Sequence, residues 1–291
     1  MDEENKFRSV FKYYKKKQPP PTLDDVIDPH NGDHEDFFDK HDALANTYSE
    51  AHIATGDIHT NKVSDWKVMS FKAAPGLLII KNVFSSSDQV YWASRCLKEY
   101  SSTTYKRNID HPSLNLSVVD WWSESQKDAS LVDKLRWSTL GYHHDWDTKV
   151  YKEDNQSIFP TELASLSTSL ATMVGYPGYK AEAAIVNFYP FSATLSGHTD
   201  HSEQNLAAPL LSISLGQSAI FLLGGTTVQE TPAAFLIRSG DVLVMEEGAR
   251  LAYHGVPRIL AACQDCWEGG DEFCRKYLAS HRININIRQV F

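Results

Sequence analysis

The chain has 291 residues, room for one large domain with extensions or for two small ones. A hydrophobic fraction of 42% can fill a sizeable core, and no run of about 18 apolar residues is present to span a membrane. The formal charge of -9 excludes a broad non-specific grip on duplex phosphates, although a local cationic groove stays open.

Near the N-terminus, Phe7, Val10, Phe11 and Tyr14 recur at helical spacing and predict an amphipathic helix that Pro19, Pro20 and Pro21 stop. Lys12, Lys15, Lys16 and Lys17 form the one dense basic cluster, either a solvated helix end or a phosphate-binding arm. The opening Met-Asp-Glu-Glu-Asn is too acidic for a secretory or standard import leader. An intracellular protein is therefore expected, in nucleus or cytoplasm, with a mitochondrial location through internal signals left open. Residues 22 to about 65 read as polar and irregular, with His30, His34, His41, His52 and His59 as solvated side chains.

From Pro75 the pattern sharpens. Residues 76–80 suit a buried strand, and Ser87-Asp88 a helix N-cap followed by the apolar face Val90, Ala93, Leu97 and Tyr100. A second helix is predicted from Thr161 to Val174, stopped by Gly175. Strands follow at 182–189, 210–215, 218–223, 233–237, 241–245 and 281–290. This order implies an α+β fold with a double-stranded β-helix, or jelly roll, at its core and N-terminal helices outside. Residues 1–70 are read as a helical and irregular extension and 71–291 as the main domain. Cys263 and Cys266 are spaced like half a zinc site, but no second pair completes it, so the four cysteines read as ordinary thiols.

Residues i and i+2 of an extended segment point to one side, so His198 and Asp200 can share a metal. His254, after the strand opened by Gly240-Asp241, is the candidate third ligand. Two imidazoles and one carboxylate leave half an octahedron open, as Fe(II) requires to accept a bidentate co-substrate and O2. Downstream, Arg282-Ile-Asn284-Ile-Asn286-Ile-Arg288 alternates without a break. Its polar face is either wet or turned inward; two inward guanidiniums demand anions, and a dicarboxylate supplies two.

These motifs resemble the AlkB family of nucleic-acid dioxygenases, most closely its AlkB-homologue-1 type. Asn187-x-Tyr189, His198-x-Asp200, His254 and Arg282-x-Asn284-x-Asn286-x-Arg288 match the family's motifs in order, except that Asn286 replaces a Thr. The run from Leu135 to Trp146 and the Phe-Arg-x-x-Phe-Lys-Tyr-Tyr helix extend the likeness over most of the chain. The resemblance implies iron at His198, Asp200 and His254, and 2-oxoglutarate at Asn187, Tyr189, Arg282, Asn284 and Arg288, with O2 as second co-substrate. It also implies a lid at about 100–150, with Trp137 as stacking platform or core residue and Tyr142, His143 and His144 lining the entrance. Ser202 departs from bacterial-type members, which carry an acid at that position.

The implied reaction is oxidation of methyl groups on bases, releasing formaldehyde, succinate and CO2. Implied substrates are N1-methyladenine and 5-methylcytosine in tRNA, then N6-methyladenine in unpaired or melted DNA. The target must be unpaired or flipped out to reach a buried metal. A protein (histone) demethylase or hydroxylase on the same scaffold is the alternative; a peptide would need a shallow groove in place of a stacking lid. A monomer is expected.

Overall fold

A computed structural model describes residues 4–41, 58–262, 267 and 269–291. The element order is α1 (Lys6–Lys15), β1 (Val26–Ile27), β2 (Phe38–His41), β3 (Lys67–Phe71), β4 (Leu77–Lys81), α2 (Ser86–Lys98), β5 (Lys106–Arg107), α3 (Trp121–Ser125), β6 (Trp137–Asp145) and β7 (Val150–Gln156). Then come α4 (Thr161–Met173), β8 (Ala183–Pro190), β9 (Leu195–His198), β10 (Leu210–Gly216), β11 (Ser218–Leu223), β12 (Ala233–Ile237), β13 (Val242–Met245), α5 (Glu247–Arg250), β14 (His254–Leu260), α6 (Glu272–Leu278) and β15 (His281–Arg288).

The strands form two sheets. The larger runs β2-β3-β4-β13-β10-β15-β8-β6-β5, with β7 pairing to β6; the smaller runs β1-β12-β11-β14-β9. Between them lies an apolar layer including Tyr189, Leu210, Phe221, Leu243 and Val256. The opposite face of the large sheet carries Ile283, Ile285, Ile287, Val186 and Phe188 against α2, α4 and α6. Strand β15 is thus buried on both faces, with Arg282, Asn284 and Arg288 each under 9% exposed, and the wet-face reading of its polar residues is excluded. This is the jelly roll that the strand pattern implied.

Local choices follow the sequence with a few differences. Helix α2 starts earlier than Ser87: Ser85 caps it, accepting from the Asp88 N–H while the Asp88 carboxylate accepts the Ser85 N–H at 3.0 Å. A capping box competes better than a lone Ser-Asp pair because it satisfies two orphan donors. Gly175 follows α4 at φ +96, a conformation that L side chains rarely adopt. Helix α1 lays Phe7, Phe11 and Tyr14 on the outer face of the small sheet, against Ile220, Leu222 and Ala234. The N-terminal stretch, expected as helical and irregular, also contributes β1 to the small sheet and β2 and β3 to the large one.

Of the histidines read as solvated, His30, His41 and His59 are exposed and His34 is half-buried, and each also has a partner. His30 Nε2 lies 2.8 Å from Asp241 Oδ1, His34 Nδ1 accepts the Asp28 N–H at 2.9 Å, His41 Nε2 lies 2.8 Å from Ser70 Oγ, and His59 stacks on Tyr91. His52, Cys263 and Cys266 lie outside the described residues; Cys96 and Cys274 are buried free thiols. Among the described residues no helix is long and apolar enough to cross a membrane.

Candidate active site

Strands β9 and β14 run antiparallel and pair His198 directly with His254. Asp200 follows two residues after His198, so three donors meet at one end of the small sheet. Ligand atoms from His198, Asp200 and His254 all lie within 4.8 Å of one another. His198 Nε2 is 3.8 Å from Asp200 Oδ1, and His254 Nε2 is 3.7 Å from Asp200 Oδ2. These gaps are too long for hydrogen bonds and suit an ion between them, since ligands about 2.1 Å from a metal stand roughly 3 to 4 Å apart.

Both imidazoles are aimed by their other nitrogen. His198 Nδ1 donates to the Ser196 carbonyl at 2.9 Å and His254 Nδ1 to the Ala252 carbonyl at 3.0 Å, leaving each Nε2 lone pair for a metal. Burial and the neighbouring His198 push the His254 pKa down to about 4, so its ring is neutral near pH 7. Burial would raise the Asp200 pKa, but Arg288, His254 and His198 outweigh it and hold the carboxylate ionised well below its ordinary range.

The two arginines of β15 have different surroundings. Arg288 is already neutralised: Nη2 donates to Asp200 Oδ2 at 2.9 Å, Nη1 donates to Tyr151 Oη at 2.9 Å, and Nη1 pairs with Glu203 Oε1 at 3.2 Å. The resemblance assigns Arg288 to the co-substrate; here its contacts fix the metal carboxylate. Glu203 is fully buried and also accepts from Arg250 Nη2 at 3.1 Å, while Arg250 Nη1 donates to the Asp200 carbonyl at 2.6 Å. Two guanidiniums, bridged by the Glu203 carboxylate, therefore lock Asp200 by both its side chain and its backbone.

Arg282 is left short of partners. Nη2 donates to Ser214 Oγ at 2.9 Å, but Nε and Nη1 are buried without a hydrogen-bond partner among the described residues, and burial lowers its pKa to about 10. It opens onto a narrow cavity between the sheets, lined also by Tyr189, Asn284, Asn286 and His254. Asn284 Nδ2 donates to Ser212 Oγ and to the Ile213 carbonyl, whereas Asn286 Oδ1 is buried and unpartnered. Asn187, half-buried, does not line this cavity; it pairs in register with Asn284 on one side and Trp137 on the other. An orphaned guanidinium at one end and a His-Asp-His cluster at the other fit a small diacid that also reaches a metal.

The β6–β7 hairpin reaches the site through Tyr151, which accepts from Arg288 Nη1. Sequence reading missed these strands: Trp137–Asp145 is buried along both faces and lacks a period-two pattern, and Val150–Gln156 is mostly exposed and polar. Gly141, at φ +67, kinks β6 where a Cβ would meet the Glu182 carbonyl oxygen at 2.0 Å. Trp137 is half-buried, its ring centroid 5.5 Å from that of the exposed Trp146, which in turn is 4.7 Å from His144. His144 Nε2 lies 3.0 Å from Ser202 Oγ, tying the hairpin to the loop after Asp200. The other two residues placed at the entrance are engaged elsewhere. His143 is buried with Nδ1 2.7 Å from Thr139 Oγ1, and Tyr142 packs edge-on against Phe291.

Residues 76–288 match the model of the 2OG-Fe(II) oxygenase superfamily. The chain is also 33% identical to the mouse (Mus musculus) nucleic acid dioxygenase ALKBH1, over 99% of this chain and 84% of that relative. The chain belongs to this superfamily, as an AlkB-homologue-1-type dioxygenase. It is 32% identical to the tRNA demethylase abh1 of Schizosaccharomyces pombe, covering 100% of this chain and 97% of the relative. It is 28% identical to the DNA N(6)-methyladenine demethylase ALKBH1A of Arabidopsis thaliana, over 95% and 90%. The superfamily uses Fe(II) and 2-oxoglutarate, and the residues present fit both on the grounds of the triad and the two unsatisfied nitrogens of Arg282. Glu203, Arg250 and Tyr151 had no motif to betray them; the one signal was an acid three places after the metal aspartate.

Proposed function

We propose that this dioxygenase oxidises methyl groups on bases of nucleic acids, with His198, Asp200 and His254 holding Fe(II). The observation that carries the reading is that His254 of the metal cluster and the part-satisfied Arg282 line one cavity, while His144, packed against Trp146, meets the loop that follows Asp200. Bound iron and 2-oxoglutarate supply the oxidising power for C–H hydroxylation. Arg282, whose Nε and Nη1 lack protein partners, would receive the distal carboxylate of 2-oxoglutarate. Tyr189 and Asn284 line the co-substrate's flank, Asn187 sits near its rim, and Arg288 keeps Asp200 ionised and correctly turned.

The lid receives the base. Trp137 and Trp146 offer stacking faces at the entrance, and a flipped or unpaired base loses little by leaving its own strand. Hydroxylation of a methyl on nitrogen gives a hydroxymethyl group that leaves as formaldehyde, whereas on carbon the product persists. Leading substrates are N1-methyladenine and 5-methylcytosine in tRNA, followed by N6-methyladenine in unpaired DNA, in line with the relatives' names. An aromatic hairpin that reaches the site favours bases over the peptide of a protein demethylase. The test is nucleoside mass spectrometry of tRNA and DNA incubated with enzyme, Fe(II), ascorbate and 2-oxoglutarate. Loss of a methylated nucleoside, absent with Asp200→Asn, supports the reading; unchanged nucleosides beside a hydroxylated histone peptide overturn it.

A further inference from the structure

The basic cluster at the end of α1 has no part in the chemistry above. Lys15 and Lys17 line an open groove of about 740 Å3 together with Arg258 of β14 and the turn Phe191–Thr194 that joins β8 to β9. Three cations line it and, among the described residues, no carboxylate does. Arg258 Nη1 donates to the Lys16 carbonyl at 3.3 Å, fixing the helix end to β14 so that the charges share one wall. Phe191 is 43% exposed there, a large aromatic face turned to solvent. Lysines in a last helical turn complement the helix dipole, which accounts for Lys12 and Lys15 but not for Lys17, Arg258 or Phe191.

The groove's position gives these residues a purpose. Arg258 lies four residues past His254 on β14, and Thr194 four residues before His198 at the start of β9. At about 3.3 Å per residue, the groove is roughly 13 Å along the strands from the metal cluster. We infer that it is a second contact surface for a nucleic-acid strand, taking backbone phosphates on Lys15, Lys17 and Arg258 and stacking a base on Phe191. Cations along a backbone track with an interleaved aromatic are how unpaired strands are held without sequence readout. This rests on the nucleic-acid reading above and adds where the strand continues beyond the reacting base. It also reconciles that substrate with a chain of net charge -9: the positive field is local.

The test is fluorescence anisotropy with a labelled unpaired 20-nucleotide strand bearing one N1-methyladenine, using full-length protein loaded with Mn(II) and 2-oxoglutarate, from 50 to 200 mM salt. Lys15→Ala with Lys17→Ala weakens binding about tenfold and lowers the log–log salt slope by about 1.4, two single-strand phosphate contacts. Phe191→Ala weakens binding with the slope unchanged. Turnover of a methylated trinucleotide, too short to reach the groove, stays at the wild-type rate in all variants. Wild-type affinity and slope in the lysine variant overturn the groove, even where the long strand is demethylated. A lysine-dependent slope with no methylated nucleic acid turned over keeps the groove and sinks the substrate reading instead.

Discussion

Arg282 offers a test in which stability and binding move in opposite directions. With one of its five N–H donors satisfied by Ser214 and two nitrogens buried and bare, the guanidinium is a cost to the protein until an anion arrives. Arg282→Met keeps length and removes the charge. Replacing a poorly paired buried ion by an apolar side chain stabilises by about 1–4 kcal/mol. At about 2 °C per kcal/mol for a chain of this size, the co-substrate-free variant melts about 2–8 °C higher than wild type. Two charge-assisted hydrogen bonds to a carboxylate, worth about 1.5–3 kcal/mol each, are lost at the same time. That amounts to at least a 100-fold rise in the Kd of 2-oxoglutarate. Differential scanning calorimetry without co-substrate and isothermal titration of 2-oxoglutarate into Mn(II)-loaded protein read the two effects. A variant that melts lower than wild type, or that binds 2-oxoglutarate within threefold of it, refutes the assignment of the cavity.

Glu203→Gln keeps the shape of the buried carboxylate but strips its charge from between Arg250 and Arg288. It is expected to cost about 3 kcal/mol in denaturant unfolding, and to weaken Mn(II) affinity about tenfold or more, because Arg288 and Arg250 orient Asp200. Unchanged metal affinity would leave Glu203 as packing alone. Protonation gives a further check. His143 and His281 are buried, and burial pushes both pKa values below the ordinary histidine value. The unfolded chain therefore takes up these protons first, so stability is full above about pH 6.5 and falls as the pH drops toward the folded values. Urea midpoints at pH 7.5, 6.0 and 5.0 should decline in that order, and a flat profile would contradict the burial of the two rings.

The fold was legible where side chains alternate against one environment. Ile283, Ile285 and Ile287 face helices while Arg282, Asn284 and Asn286 face the cavity, and this division is written in the residues themselves. The meeting of His198, Asp200 and His254 was readable too, since i and i+2 on one strand and a histidine opening another are spacing arguments. Strand β6 was not legible, because a strand buried on both sides by unlike partners shows no period, and β7 was not, because all but Tyr151 and Asn155 of it are exposed and its residues are mostly polar. Nor was the network around Arg288: Tyr151, Glu203 and Arg250 come from three separate segments, and only tertiary pairing joins them. The same holds for His30, whose partner Asp241 lies 211 residues away.

Gly197 deserves a last consideration for what rests upon it. Its absent side chain is the space that the Phe7 ring fills: a Cβ there would stand 2.4 Å from Phe7 Cε1, one residue before His198. The first helix thus acts as a keystone beneath the strand that presents a metal ligand. Clipping or displacing residues 6–15 would slacken the iron centre from behind without touching a single ligand, so that damage at a distant terminus would be felt as lost oxidation chemistry.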